Sequence, residues 1–585
     1  MKNLIYIIVA VMLLSGCSKF LDRQPLASIS PNNAFNSENE LQLYVNSFYS
    51  ANLPNADDDN NGFYSLYNED ADNIVKNSMG DQLTGKRVVP VTDGAWGWSK
   101  LRNINYFLQN YGNGHLDTAV TYKYVAVARF FRAFFYFSMV TRYGDVPYFT
   151  KVPSEVDSTL LKLPRTSRVA VTDSIVADLD FAINHLGTAA DPAAVTKWTA
   201  LALKSRVCLF EGTFRKYHTE FKLSGAEDLL QKCVDASTQL MQGPYSIYTD
   251  DPSTSYRNLF SSYDPQRKEV ILARQYSKSA QIFHNVNYYT IAASYGKPGL
   301  EKKLVNSYLM KDGSRFTDLQ GYDTMTFVHE MQNRDPRLYQ TIRTPGYTRL
   351  GSTIKLPTSF TATTTGYQLT KYVMGTADDA YMKCYNALSI FRYAEVLLNF
   401  AEARAELGTL TQGDLNNSIK LLRGRVGMPG LDMAQANANV DPYLAAQYSN
   451  VAAGGNQGVI LEIRRERRIE MVMEGLRWND LMRWKEGHLL ALQYKGEYFP
   501  KPGQYDLDGD LKPDLEIYTT TKSSTSGLQF LKLGTDVQLE NGANGGAIIV
   551  LGNVSKTFNE NKDYLWPIPT QEMQLNPNLV QNPGW

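Results

Sequence analysis

The sequence predicts a mainly α-helical protein with paired helices and a loop-rich middle region. Three observations carry that reading. Apolar residues recur at helical spacing through much of 98–242 and again through 388–487. Several of these stretches follow one another as pairs of similar length, like tetratricopeptide-type hairpins, although the repeat is too degenerate to be set by period alone. Between the two helical blocks, from 243 to 385, Gly, Pro, Thr, Ser and Tyr punctuate short segments, as loops and a few short strands do.

The first element is MKNLIYIIVAVMLLSGC. Lys2 supplies a positive charge, Leu4 to Leu14 form an apolar run, and Ser15-Gly16-Cys17 closes it. The run is well short of the ~20 apolar residues that span a bilayer with ease. Residues 1–16 are therefore expected to be a cleaved export signal. A cysteine directly after Ser-Gly resembles a bacterial lipobox, so Cys17 is expected to become the acylated N-terminus, with palmitate among its chains. Several acyl chains, at roughly 0.8 kcal/mol per buried methylene, hold a protein on a membrane almost permanently. Residues 17–36 then read as a tether. An ordinary signal peptide with a chance cysteine is the plainer alternative.

Ser37 followed three residues on by Glu40 fits a helix-start capping box, and Leu41, Tyr44, Val45 and Phe48 continue it, so a helix is expected over 38–52. Residues 53–97 are rich in Asn, Asp and Gly with scattered aromatics, a loop-rich stretch of the kind that carries binding. Helices are expected at about 98–111 and 120–143, the second too apolar for an exposed helix and stopped at Gly144 with Pro147 beyond. Further helices are expected at 168–186, 195–217 and 225–242. After the loop-rich 243–385, a helix at 388–407 places Ile390, Ala394, Leu397, Ala401 and Ala405 on one face. Others follow at 413–426 and, as one long helix, at 457–487. The tail 488–585 reads as mostly irregular.

Composition narrows the function. Lys+Arg and Asp+Glu both number 59, so nothing invites nucleic acid. The excess lies in 37 Tyr, 25 Phe and 7 Trp, residues that suit sugar faces as well as cores. Of four cysteines, Cys208, Cys233 and Cys384 remain after Cys17, an odd number that describes no disulfide framework. Cys208 and Cys384 sit in apolar runs and read as buried thiols, with a Cys208–Cys233 bridge the alternative. No two of the six histidines stand at metal-ligand spacing, and no G-x-S-x-G elbow occurs. Gly80 to Arg87 nearly matches a phosphate loop, but Arg87 stands where Ser or Thr must hold magnesium.

In 457–487 the charges Glu462–Arg465, Arg467–Glu470, Arg477–Asp480 and Asp480–Arg483 lie three apart, close enough to pair on a helix. Glu466, Glu470 and Glu474 lie four apart and repel unless arginines intervene. A network bracing helix against helix is expected rather than a catalytic carboxylate. Asp506, Asp508, Asp510 and Asp514, with Gly509 for the turn, suit the oxygen-rich shell of a structural calcium, while lacking the closing glutamate of an EF-hand loop. A solvated acidic turn is the other reading.

Five stretches, in order along the chain, resemble the SusD/RagB family of outer-membrane lipoproteins. They are the lipobox with FLDRQP behind it, RFFRAFFYFSMVTRYGDVPYF at 129–149, FRYAEVLLNFAEARAELG at 391–408, IRRERRIEMVMEGLRWNDLMRWKEG at 463–487, and YLWPIPTQEMQLNPNLVQNPGW at 564–585. The resemblance implies a SusD-like fold over 17–585, with the helical scaffold mainly in 38–52, 98–242 and 388–487. The less regular 53–97, 243–385 and 488–585 would carry the ligand surface. It also implies a binding protein rather than an enzyme, lipid-anchored in the outer membrane and facing the exterior. Such a protein passes oligosaccharides to a SusC-like TonB-dependent transporter. Binding of peptides on the same architecture is the alternative, and a lipid-anchored glycoside hydrolase a more distant one. Family binding residues vary, so the ligand contacts are expectations from residue type alone: Tyr64, Tyr67 and Trp96 in the first loop, and Tyr288, Tyr289 and Tyr295 in NVNYYTIAASYG. Trp98, Trp478, Trp484 and Trp566 are expected to be structural.

Overall fold

The computed structural model describes residues 34–55, 71–154 and 157–585. The export and lipidation stretch with Cys17, and Tyr64 and Tyr67, lie outside these residues.

The helical half begins with α1 (Glu38–Asn52), and its start follows the cap read from sequence. Ser37 Oγ accepts the Glu40 N–H at 3.3 Å. The Glu40 carboxylate reaches back to the Asn36 N–H at 2.8 Å, one residue before the usual reciprocal donor. Then come α2 (Ser99–Asn110), α3 (Thr118–Tyr143), α4 (Arg168–His185), α5 (Lys197–Tyr217) and α6 (Ala226–Met241). α3 is apolar nearly all round because it is covered on several sides: α1, α2 and α4 all pack on it. It stops at Gly144, whose φ of 73° is a conformation that costs glycine nothing. α5 and α6 pack as a pair, and Cys208 and Cys233 lie buried between them as free thiols rather than as a bridge.

The second helical block departs from the sequence reading. Residues expected as one helix at 388–407 form a strand and then a helix. β4 (Leu388–Arg392) pairs antiparallel with β2 (Val270–Arg274), and α7 (Tyr393–Glu406) follows, lying on α5 and α6. All five strand residues are buried, so their apolar run carried no period that separates strand from helix. The expected 413–426 helix is two short ones, Gln412–Asn416 and Ile419–Gly424.

The expected long helix 457–487 is broken into α8 (Gln457–Glu470) and α9 (Arg477–Arg483), with left-handed Met473 and Gly475 between them. Buried side chains take up the carbonyls freed at the break. Tyr256 Oη donates to Glu470 O at 2.7 Å, and Lys371 Nζ donates to Val472 O at 2.6 Å.

α8 packs on α7, and its charged face is buried rather than solvated. The three glutamates are separated by arginines from other elements. Glu470 receives Arg337 at 3.1 Å, Arg392 at 2.7 Å and Arg425 at 2.7 Å. Arg337 also reaches Glu466, and Arg392 also reaches Glu474 at 2.6 Å. Of the four expected pairs along the chain, Glu462–Arg465 and Asp480–Arg483 form. Arg467 turns instead to Asp480 at 2.9 Å, and Arg477 to Asp72 at 2.6 Å. Arg468 joins Arg477 on Asp72, which ties the 71–97 loop to the scaffold.

The tail is more regular than expected. β5 (Lys495–Phe499) pairs with β9 (Gly546–Ile549), while β6 (Gly503–Tyr505), β7 (Leu515–Tyr518) and β8 (Gln529–Lys532) form a second small sheet. β1 (Ile74–Val75) pairs antiparallel with β3 (Gly299–Leu300), joining the first loop to the middle region. Among the described residues, no helix is long and apolar enough to cross a membrane.

Candidate ligand-binding surface

The tyrosines of NVNYYTIAASYG come together. The short helix Val286–Ile291 buries Val286, Asn287 and Thr290, which turns Tyr288 and Tyr289 outward. The chain then doubles back, and Tyr295 lies against Tyr289 with ring centroids 4.1 Å apart at 31°. Tyr288 meets Tyr295 edge-on at 5.5 Å. Tyr381 joins from a separate loop, 5.7 Å from Tyr288 and 55% exposed. In the same region Tyr263 and Tyr385 stack at 4.1 Å with planes within 6°. Tyr263 is 43% exposed and Tyr295 38%, so aromatic surface from three segments reaches solvent.

Buried polar groups hold this surface still. Asn287 donates to Asp378 O at 2.8 Å and to the Asp379 carboxylate at 3.1 Å, and accepts the Met374 N–H at 2.9 Å. Asn285 accepts the Met382 N–H at 2.7 Å. His284 pairs with the Asn386 carbonyl at 3.0 Å, and burial lowers its pKa to about 4, so it is a neutral strut. Tyr263 Oη donates to Asp378 at 2.8 Å. Burial, and then this bond, hold its phenol well above the ordinary range. Arg349 pairs with Asp379 at the edge. The result is a fixed set of flat apolar faces with the partly open Asp379 carboxylate beside them, which suits a ligand with apolar faces and hydroxyl edges.

Sequence reasoning missed Tyr263, Tyr381 and Tyr385. They come from distant positions: Tyr381 meets Tyr288, while Tyr263 and Tyr385 meet each other. Trp96 is the opposite case and is corrected here. Its ring is 3% exposed, held edge-to-face between Trp98 at 5.6 Å and Tyr143 at 4.8 Å, so it has no open face for stacking. Trp98 packs on Phe149, and Trp484 is fully buried with its Nε1–H on Glu402 at 2.7 Å.

The phosphate-loop lookalike is structural. Asp81–Thr84 form one helical turn, and Arg87 is buried on Asp563 at 3.0 Å and over the Trp566 ring. In the acidic turn, Asp506, Asp508 and Asp514 bring a carboxylate oxygen each within 4.8 Å of one another, while Asp510 turns to Lys512. Asp506 accepts the N–H groups of Asp508, Gly509 and Leu511. Burial, and then the neighbouring carboxylates, push the Asp514 pKa up.

A family model described as "SusD family" matches residues 268–585. The chain belongs to the SusD family. A second model, described as "Starch-binding associating with outer membrane", matches residues 19–209. Among curated relatives, SusD-like protein P25 of Formosa agariphila is 23% identical over 296 residues, 47% of this chain and 52% of that protein. The chain therefore spans about half the length of that relative. A SusD-like protein of Bacteroides ovatus is 24% identical over 83% of this chain and 82% of that protein. Two Bacteroides fragilis crystal structures share the fold. A SusD-like protein superposes with a TM-score of 0.68 at 22% identity, covering 96% of this chain and 100% of that one. A SusD-like carbohydrate-binding protein superposes with a TM-score of 0.69 at 23% identity, covering 93% and 99%. The mainly helical SusD-like fold is thereby established for this member of the family.

Proposed function

We propose that this SusD-family chain captures glycans at the cell surface and passes them to a SusC-like TonB-dependent transporter in the outer membrane. The observation that carries the reading is the tyrosine platform, with Tyr289 and Tyr295 packed 4.1 Å apart beside Tyr288 and Tyr381. Sugar rings present C–H faces to such rings and hydroxyls to the phenol oxygens and to the partly open Asp379 carboxylate. The family description of starch binding at the outer membrane and the carbohydrate-binding relative support it. The reading is of a binding protein, not an enzyme. Cys17 carries the lipid anchor, and the tether supplies effective concentration, so individual affinity need not be high.

Two subordinate proposals accompany it. Asp506, Asp508 and Asp514 hold a structural calcium. Tyr64 and Tyr67, a few residues before Ala71 in the sequence, add to the ligand surface. Peptide binding on the same architecture is the competing outcome. The test is native-gel retardation of residues 18–585 through a panel of polysaccharides. Retardation by at least one glycan is expected. Retardation by none, together with binding of peptides in the same assay, would replace the glycan with a peptide ligand.

A further inference from the structure

A second concavity starts two residues beyond the platform. Gly296 and Lys297 are consecutive left-handed residues, with φ of 78° and 49°, and turn the chain sharply after Tyr295. Lys297 lines a cleft of about 680 Å³ between the 360–364 loop, β8 and β9. Two virtual bonds separate Tyr295 from Lys297, so their Cα atoms are at most about 7 Å apart. The volume lies within the range of small-molecule sites.

The cleft is stitched from segments distant in sequence. The Asn77 N–H donates to Gly296 O at 2.8 Å, and the Thr364 N–H donates to Lys297 O at 2.9 Å. Gln529 joins β8 to the facing loop by donating to Thr358 O at 2.7 Å and accepting the Phe360 N–H at 2.8 Å. The Ile549 N–H donates to Gln538 O at 2.9 Å. Its walls are thus built before any ligand arrives. Their chemistry is mostly neutral: Thr361, Gln538, Asn553 and Asn77 offer hydroxyls and amides, and Phe530 offers an aromatic ring that also meets Lys522 Nζ at 4.8 Å. Lys297 and Asp536 are the titratable groups among its lining residues, one of each sign.

We infer that this cleft is a second subsite, continuous with the tyrosine platform, and that the two together take an extended, uncharged glycan. The inference rests on the platform reading. Hydroxyl-rich units match neutral donors and acceptors. A polyanionic chain would bring a charge on every unit to a cleft whose lining residues carry one charge of each sign and no net charge. The platform holds the first sugar units, and the chain crosses the Gly296–Lys297 turn to place later units beside Phe530 and Gln538.

The test is titration calorimetry of the purified protein with size-fractionated partial hydrolysates of soluble starch, xylan and galactomannan, and of polygalacturonate as the anionic arm. For at least one neutral series, affinity is expected to rise about tenfold from short to long fragments. Phe530→Ala should remove that gain and keep short-fragment affinity. Gln538→Trp, which fills the cleft from an exposed position, should do the same without touching a packed residue. Tyr289→Ala should weaken short and long fragments alike, and its failure to do so would overturn the platform reading itself. Equal affinity for short and long fragments, a length gain that survives both cleft variants, or tighter binding of polygalacturonate would overturn the cleft.

Discussion

Two regions of this molecule are rich in polar and aromatic side chains and use them in opposite ways. Around α8, charges are sealed from water and matched many to one: Glu470 alone receives Arg337, Arg392 and Arg425. Around Tyr288, rings are held by a few buried amides and left open to solvent. A buried ion is retained only where partners cancel its desolvation, so the α8 network is held inside the scaffold and presents no face to a ligand. The tyrosine surface has unspent contact area. The charge-dense helix is thus given over to structure, and the open aromatic surface lies in the less regular middle region.

The comparison is broken most severely at Arg392. Arg392→Ala leaves Glu269, Glu470 and Glu474 each short of a buried partner, and is expected to cost about 3–5 kcal/mol in urea unfolding. A loss below about 1 kcal/mol would mean that the network is not what braces the scaffold. Glu402 gives the acid limb of the same prediction. Burial pulls its pKa up, but Arg483, Arg467 and the Trp484 N–H outweigh burial and hold it at about 2, below the ordinary 4.5. A depressed carboxylate contributes stability above its unfolded pKa and loses it as pH falls toward the folded one. The urea midpoint should fall as pH drops from 4.5 toward 2, and Glu402→Gln should flatten that slope. An identical slope in both proteins would contradict the assignment.

On the open surface the sign of the effects reverses. Tyr381→Ala is expected to leave stability within about 0.5 kcal/mol. It should weaken glycan binding several-fold in calorimetry. Equal binding would place Tyr381 outside the surface. The smallest effect concerns the acidic turn. Chelating calcium is expected to lower the melting temperature by about 1–2 °C through loss of ligand linkage. An unchanged melting curve would remove the calcium.

Much of the scaffold was legible because its signals are local. The Ser37–Glu40 cap, the apolar α3 and its Gly144 stop are each set by residues within a few positions of one another. The strand at Leu388–Arg392 was not legible, because a segment buried on every side has no amphipathic period. The break after Glu470 was not legible either. It depends on Tyr256, Lys371 and Arg392 reaching its carbonyls from far along the chain. The site divides in the same way. Tyr288, Tyr289 and Tyr295 share one short segment and could be read together, whereas Tyr381 reaches Tyr288, and Tyr263 reaches Tyr385, only through the fold. Trp96 was misplaced because residue type does not say which face a neighbour covers, and here Tyr143 and Trp98 cover it.

The most direct test of the platform is the double variant Tyr289→Ala/Tyr295→Ala beside the unaltered protein in glycan-gel retardation, with melting curves for both. The packed pair is worth roughly 1 kcal/mol to the fold, so both proteins should melt as folded species. The account predicts that a glycan which retards the unaltered protein leaves the folded variant running free. Equal retardation of the two would contradict it.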